Sequence, residues 1–144
     1  MSITARDITN AYQKNVDRVE QAKAELDKAQ EKFNRIYTDS NKEGKEVQMK
    51  FSNELFDYIT SRVNVRDRGT YVGSGGLTEI FLDEGNNMEK ISFHNRQWVS
   101  NVDGEFTFMI RDYNMNTVEG EIDPDMTPEE AGEFILSEYE KSFK

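Results

Sequence analysis

The sequence predicts an α+β protein: a long N-terminal helical hairpin, an antiparallel meander of four to five strands, and a C-terminal helix packed on the sheet. Three observations carry that prediction. Apolar residues from Ile8 to Ile36 recur at alternating steps of four and three with no Pro or Gly between them. After Arg68 the apolar period shortens to two, and Gly, Asn and Asp punctuate it. Thr127-Pro128-Glu129-Glu130 then opens a last helical run.

The first helix starts at Thr4, whose hydroxyl stands three residues before Asp7 in a carboxylate version of the capping box. Ile8, Tyr12, Asn15, Val19, Ala22, Leu26, Ala29, Phe33 and Ile36 form a heptad stripe over four repeats. One row of it is large (Tyr12, Val19, Leu26, Phe33), and the other includes Ala22 and Ala29. A helix over residues 5–37 is about 50 Å long at the standard rise. Thr38-Asp39-Ser40-Asn41-Lys42-Glu43-Gly44 is rich in turn formers, which predicts a break there. A second helix follows from about Lys45 to Val63, with Val47, Phe51, Leu55, Tyr58 and Ile59 on one face. It lies antiparallel on the first and leaves part of the longer stripe uncovered, an arrangement that favours a homodimer through the first helix.

Residues 1–63 are therefore expected as a helical hairpin or coiled-coil arm, and residues 64–144 as the sheet with its C-terminal helix, the two making one compact unit. Within the second part, Gly69, Gly73, Gly75 and Gly76 read as a loop. Leu77–Asp83, Met88–His94, Gln97–Val102 and Glu105–Arg111 read as strands, and Met115–Ile122 as a fifth. The turn signals are Glu84-Gly85-Asn86-Asn87 and Asp103-Gly104. In the last helix Thr127 caps, Pro128 occupies the first turn, and Ala131, Phe134, Ile135, Tyr139 and Phe143 form the buried face.

Composition narrows the chemistry. Hydrophobic residues make up 35% of the chain and charged ones 32%, yet nine Phe, six Tyr and one Trp suffice for an ordered core. With no Cys and one His, thiolate chemistry, disulfides and Cys/His zinc sites are excluded. His94 has no partner placed by spacing. Ser74 sits in Val72-Gly73-Ser74-Gly75-Gly76, which is not a nucleophile elbow, a dinucleotide loop or a P-loop. The acids around Asp123-Pro124-Asp125 lack the ligand series of a calcium loop. The expectation is a non-enzymatic protein without metal or cofactor. The N-terminus lacks a signal pattern and no apolar run approaches membrane-spanning length, so a cytoplasmic location is expected, with no membrane or direct nucleic-acid partner.

Charge provides two candidate surfaces. The net charge is −10, but residues 1–37 carry seven bases against six acids, whereas Asp112 to Glu140 contains ten acids and no Lys or Arg. Glu119, Glu121, Asp123 and Asp125 alternate. On an extended chain they share one side at spacings of about 7 Å, close to the separation of phosphates along a nucleic-acid strand. With Glu129, Glu130 and Glu133 they form the candidate surface for a basic partner, a nucleic-acid-handling protein that this chain inhibits or masks in the manner of a phage-type inhibitor or an immunity protein. The same pattern also suits an edge strand with Val118, Ile122 and Met126 inside and acids outside. Arg62, Arg66 and Arg68 before Gly73 and Gly75 are the candidate anion site of an alternative small-ligand binder. They also suit a helix C-terminus stabilised by cations. An oligomeric assembly or chaperone protein working through the heptad helix is the third reading.

Overall fold

A computed structural model of the chain describes every residue except Met1, Ser74, Gly75 and 84–87, together with the side chains of all but Arg68 and Gly69 of the remainder. The predicted turn at 84–87 thus lies outside the described residues. The protein is α+β: helix α1 (Ala5–Thr60), strands β1 (Val65–Val72), β2 (Leu77–Leu82), β3 (Lys90–Asn95), β4 (Phe106–Arg111) and β5 (Thr117–Glu121), then helix α2 (Pro128–Phe143). The strands form one antiparallel sheet in the order β1-β2-β3-β4-β5, a meander.

The helical hairpin is corrected. The chain does not break at 38–44, and α1 runs without interruption through Gly44. Gly44 is flanked by Lys42, Glu43, Lys45 and Glu46, all good helix formers. One Gly without a Pro costs only about 1 kcal/mol, too little to end a helix. By compactness the chain divides into Met1–Ser40 and Asn41–Lys144.

The first unit is a single helix entered through the predicted start: Thr4 N–H donates to Asp7 Oδ2 at 2.9 Å and Asp7 N–H to Thr4 Oγ1 at 3.3 Å. In the second unit, α1 contributes buried Ser52, Leu55 and Ile59, and α2 contributes Ala131, Ile135 and Tyr139. These steps of three and four keep side chains on one helix face. All but Ser52 join one cluster with Ile80, Leu82, Ile91, Phe93, Phe108, Ile110 and Ile122. Two cross-strand rows supply the sheet's share: Ile80, Ile91, Ile110 and Val118, and beside it Thr78, Phe93, Phe108 and Gly120. Gly132 is buried in α2, where a Cβ would run into the Tyr58 ring of α1, so the glycine sets how closely the two helices approach.

The strand prediction is right in number and wrong in one member. β1 was expected as a Gly loop. It is a bulged edge strand whose register with β2 slips between Arg66 and Tyr71. Thr70 serves the irregularity: its Oγ1 donates to Arg66 O at 2.6 Å and accepts from Phe81 N–H at 2.9 Å. Gln97–Val102 is not a strand but folds on itself. Trp98 and Asn101 exchange backbone hydrogen bonds of 3.3 and 2.8 Å, and Trp98, Val99 and Val102 are exposed.

Candidate interaction surfaces

β5 pairs only with β4, so it is the far edge of the sheet. Its alternation is clean: Val118 and Gly120 point inward, while Glu119 and Glu121 stand exposed opposite Met109 and Thr107. Gly120 occupies an inward position because the Phe108 ring already fills the space of its side chain. Ile122 continues the buried side, its N–H donating to Phe106 O at 2.8 Å.

Beyond Ile122 the expected extended row ends. Asp125 N–H donates to Asp123 Oδ1 at 2.8 Å and Met126 N–H to Asp123 O at 3.0 Å, which curls the backbone into a turn. Asp123 and Asp125 are exposed, but the four acids do not lie in one straight line. α2 then begins on a complete capping box. Glu130 N–H donates to Thr127 Oγ1 at 3.1 Å, and Thr127 N–H donates to Glu130 Oε1 at 3.4 Å. Glu130 is thus committed to the helix start, and Glu129 sits in the same first turn, where the helix dipole favours an anion. Glu133 lies beside Tyr58, the ring over which the Arg62 guanidinium stacks at 3.5 Å. Burial raises the Tyr58 phenol above the ordinary tyrosine range. Arg62 opposes that rise and the Glu133 carboxylate adds to it.

Asp112, the first of the ten acids, is not on this surface. It is buried at the β4–β5 turn, accepting from Asn116 N–H and from Asn116 Nδ2, both at 2.9 Å. Among the described residues the ion pairs are Lys90–Glu79 at 3.2 Å and Lys141–Glu138 at 3.6 Å. None of Glu119, Glu121, Asp123, Asp125, Glu129, Glu130 and Glu133 belongs to one.

The arginine and glycine candidates do not converge. Arg62 is taken up by Tyr58, stacking on its ring and donating to its carbonyl at 3.1 Å. Arg66 belongs to β1, its guanidinium 5.1 Å over the Phe81 ring. Gly73 N–H donates to Leu77 O at 2.8 Å. The Arg68 side chain, Gly75 and Ser74 lie outside the described residues. Gly69, expected in a loop, is inside β1, and α1 stops at Thr60. What the sequence did not reveal is the row that Arg66 joins: Phe81, Lys90 and Arg111 follow it across successive strands on the sheet face opposite the core. Pairing register, invisible in a linear reading, assembles that row. One residue pair over, Glu79 answers it, bonded to Lys90 and to the Tyr71 hydroxyl at 3.2 Å. His94 is on the same face and accepts from Arg96 Nε at 3.3 Å. Among the described residues no group of three or more Asp, Glu or His stands close enough to hold a metal ion.

The third surface is the stripe of α1. In the unit Met1–Ser40 the side chains of Ile8, Tyr12, Val19, Leu26, Phe33 and Ile36 are 56, 75, 67, 66, 60 and 54% exposed. The residues that the hairpin reading folds back onto them are instead the continuation of α1. No helix of the protein is long and apolar enough to cross a membrane among the described residues. Compared with known proteins, the chain matches no protein-family model, no curated protein and no solved structure.

Proposed function

We propose that this chain is a non-enzymatic binding protein whose acidic edge engages a basic, nucleic-acid-handling partner and masks the groove that partner uses. The observation behind this is the set of exposed carboxylates Glu119, Glu121, Asp123, Asp125 and Glu129, held on a strand edge, a turn and a helix start with no ion pair of their own among the described residues. Carboxylates left without internal cations keep their field available for an incoming one. Their backbone is fixed by the sheet and the capping box, so little order is lost when they bind. An aggregation guard on an edge strand requires one or two charges. It does not require five in succession, continuing past the end of the strand.

The test replaces Glu119 and Glu121 with Gln, and Asp123 and Asp125 with Asn. Asn keeps the oxygen that receives the Asp125 N–H, so the turn survives. Capture of basic proteins from a host lysate should fall, and duplex DNA should displace them from the wild-type chain. A control variant replaces Glu20, Glu25, Asp27 and Glu31 of α1 in the same way. Equal behaviour of the two variants, or capture indifferent to duplex DNA, refutes the proposal.

A second reading, an assembly protein working through α1, is favoured by one observation: the stripe from Ile8 to Ile36 is bare over the length of the first unit. A 36-residue helix with that much apolar surface in water is stabilised far better by a partner than by its own backbone hydrogen bonds. Mass measured by light scattering tests it, with a dimer expected in place of the 16.7 kDa monomer.

A further inference from the structure

Resting on that second reading, we infer that α1 pairs with a second copy of itself in the antiparallel sense, in the register that sets Ile8 against Phe33 of the other copy. The stripe assigns Tyr12, Val19, Leu26 and Phe33 to one heptad row and Ile8, Asn15, Ala22, Ala29 and Ile36 to the other. In a parallel, in-register pair each residue meets its own copy. Layers of Tyr, Leu and Phe would then alternate with layers of two alanines, and no constant helix separation fits both. Turning one helix around pairs large with small. Tyr12 meets Ala29, Val19 meets Ala22, Ile8 meets Phe33 and Asn15 meets Leu26, each layer occurring twice. Asn15 tolerates an apolar neighbour because its Nδ2 already donates to Ala11 O, one turn back on its own helix, at 3.0 Å.

The flanking charges select the same arrangement. In a parallel pair Arg18 lies across from Lys23 of the second copy, a repulsion made twice. In the antiparallel register Arg18 lies across from Glu25, an attraction made twice, and Lys32 faces the uncharged Ala11. Shifting one heptad in one direction sets Arg18 against Lys32 and Glu25 against itself, and in the other sets Arg18 against Arg18. Shifting two heptads restores opposite charges but leaves Ile8 and Tyr12 bare, both more than half exposed in the chain alone. Only the proposed register combines matched layers, opposed charges and burial of five of the six large side chains over about 39 Å of helix.

The chain has no cysteine, so introduced thiols report the pairing directly. Full-length Tyr12→Cys and Ala29→Cys proteins are mixed, equilibrated under reduction and then oxidised. The mixed disulfide between position 12 and position 29 is expected to dominate. Disulfides joining identical positions, or a mixed product from Leu26→Cys with Ala29→Cys in its place, overturn the inference even though the protein is dimeric. A monomer at tens of micromolar, seen by light scattering before oxidation, overturns the assembly reading itself, and the inference falls with it. Charge reversal gives a second readout free of thiols. Arg18→Glu should weaken dimerisation about tenfold at low salt, and adding Glu25→Arg should restore it. A parallel pair predicts the opposite for the single variant, because Glu at position 18 would attract Lys23.

Discussion

Replacing Gly44 with Ala tests whether α1 is one helix or two. In the continuous helix Gly44 is an interior position, and nothing lies within 4 Å of where an alanine Cβ would stand. Alanine then contributes only its helix preference, about 0.5–1 kcal/mol, largely by narrowing the unfolded ensemble. Gly44 falls in the unit Asn41–Lys144, which includes the sheet. A unit of that length has an unfolding entropy of about 0.2 kcal/mol per kelvin at its midpoint, so Gly44→Ala should raise Tm by about 2–5 °C. Amide exchange at residues 41–48 should slow about two- to fivefold, even if that stretch opens apart from the sheet. In a hairpin Gly44 would take the left-handed position that closes the first helix, and alanine there is strained. A lowered Tm, or faster exchange at 41–48, refutes the continuous helix and restores the break.

Three further outcomes follow from named contacts. Gly132→Ala should have the opposite sign to Gly44→Ala, a net loss of about 1 kcal/mol in urea unfolding, because its Cβ meets the Tyr58 ring held under Arg62; Tyr58→Leu added to it should recover most of the loss. Four carboxylates about 7 Å from partner cations contribute about 2.4 kcal/mol in water, and screening at physiological salt cuts this to about 1 kcal/mol. The acidic-edge variant should therefore lose about fiftyfold in association rate at low salt and about fivefold at 0.15 M, whereas a loss independent of salt counts against charge steering. Tyr58 and Tyr71 are both raised above the ordinary tyrosine range, chiefly by burial, with Glu133 and Glu79 adding to it. Their neutral forms are favoured in the folded protein, so their contribution is complete below about pH 10 and declines as pH rises through the folded values. Ultraviolet titration should find two late-ionising phenols that become ordinary in denaturant.

The elements legible in the sequence are those where one physical signal acts alone. The helix start at Thr4, the capping box at Thr127 and the alternation of β2 and β4 all appear where expected. The errors lie where two signals compete. At residues 38–44 the turn formers argued for a break, but Lys and Glu on both sides of Gly44 favour helix and nothing prevents the turns from joining. In β1, Arg66, Arg68 and Gly69 hid a strand whose bulge is closed by the Thr70 hydroxyl, a long-range bond that no local pattern encodes. At Gln97–Val102, Trp98, Val99 and Val102 suggested a strand, but they do not alternate, and the chain turns back through Asn101.

For the candidate surfaces, the sequence located the acids but not their obligations. Alternation from Val118 to Ile122 predicted which side chains face out, and they do. It did not reveal that Asp112 is consumed by Asn116 or that Asp123 turns the chain. Those bonds remove Asp112 from the surface and give Asp123 a backbone role, while Glu119, Glu121, Asp123, Asp125 and Glu129 all remain exposed. The same distinction bears on α1. Its acids and bases are nearly balanced and interleaved, so its field is weak at a distance, and on the proposed pairing it would recognise a partner by shape and register within contact range. On the proposed readings the acidic edge would act over the Debye length and the stripe at van der Waals contact. Raising the salt should therefore release a basic partner while the α1 pair, held mainly by apolar layers, stays assembled.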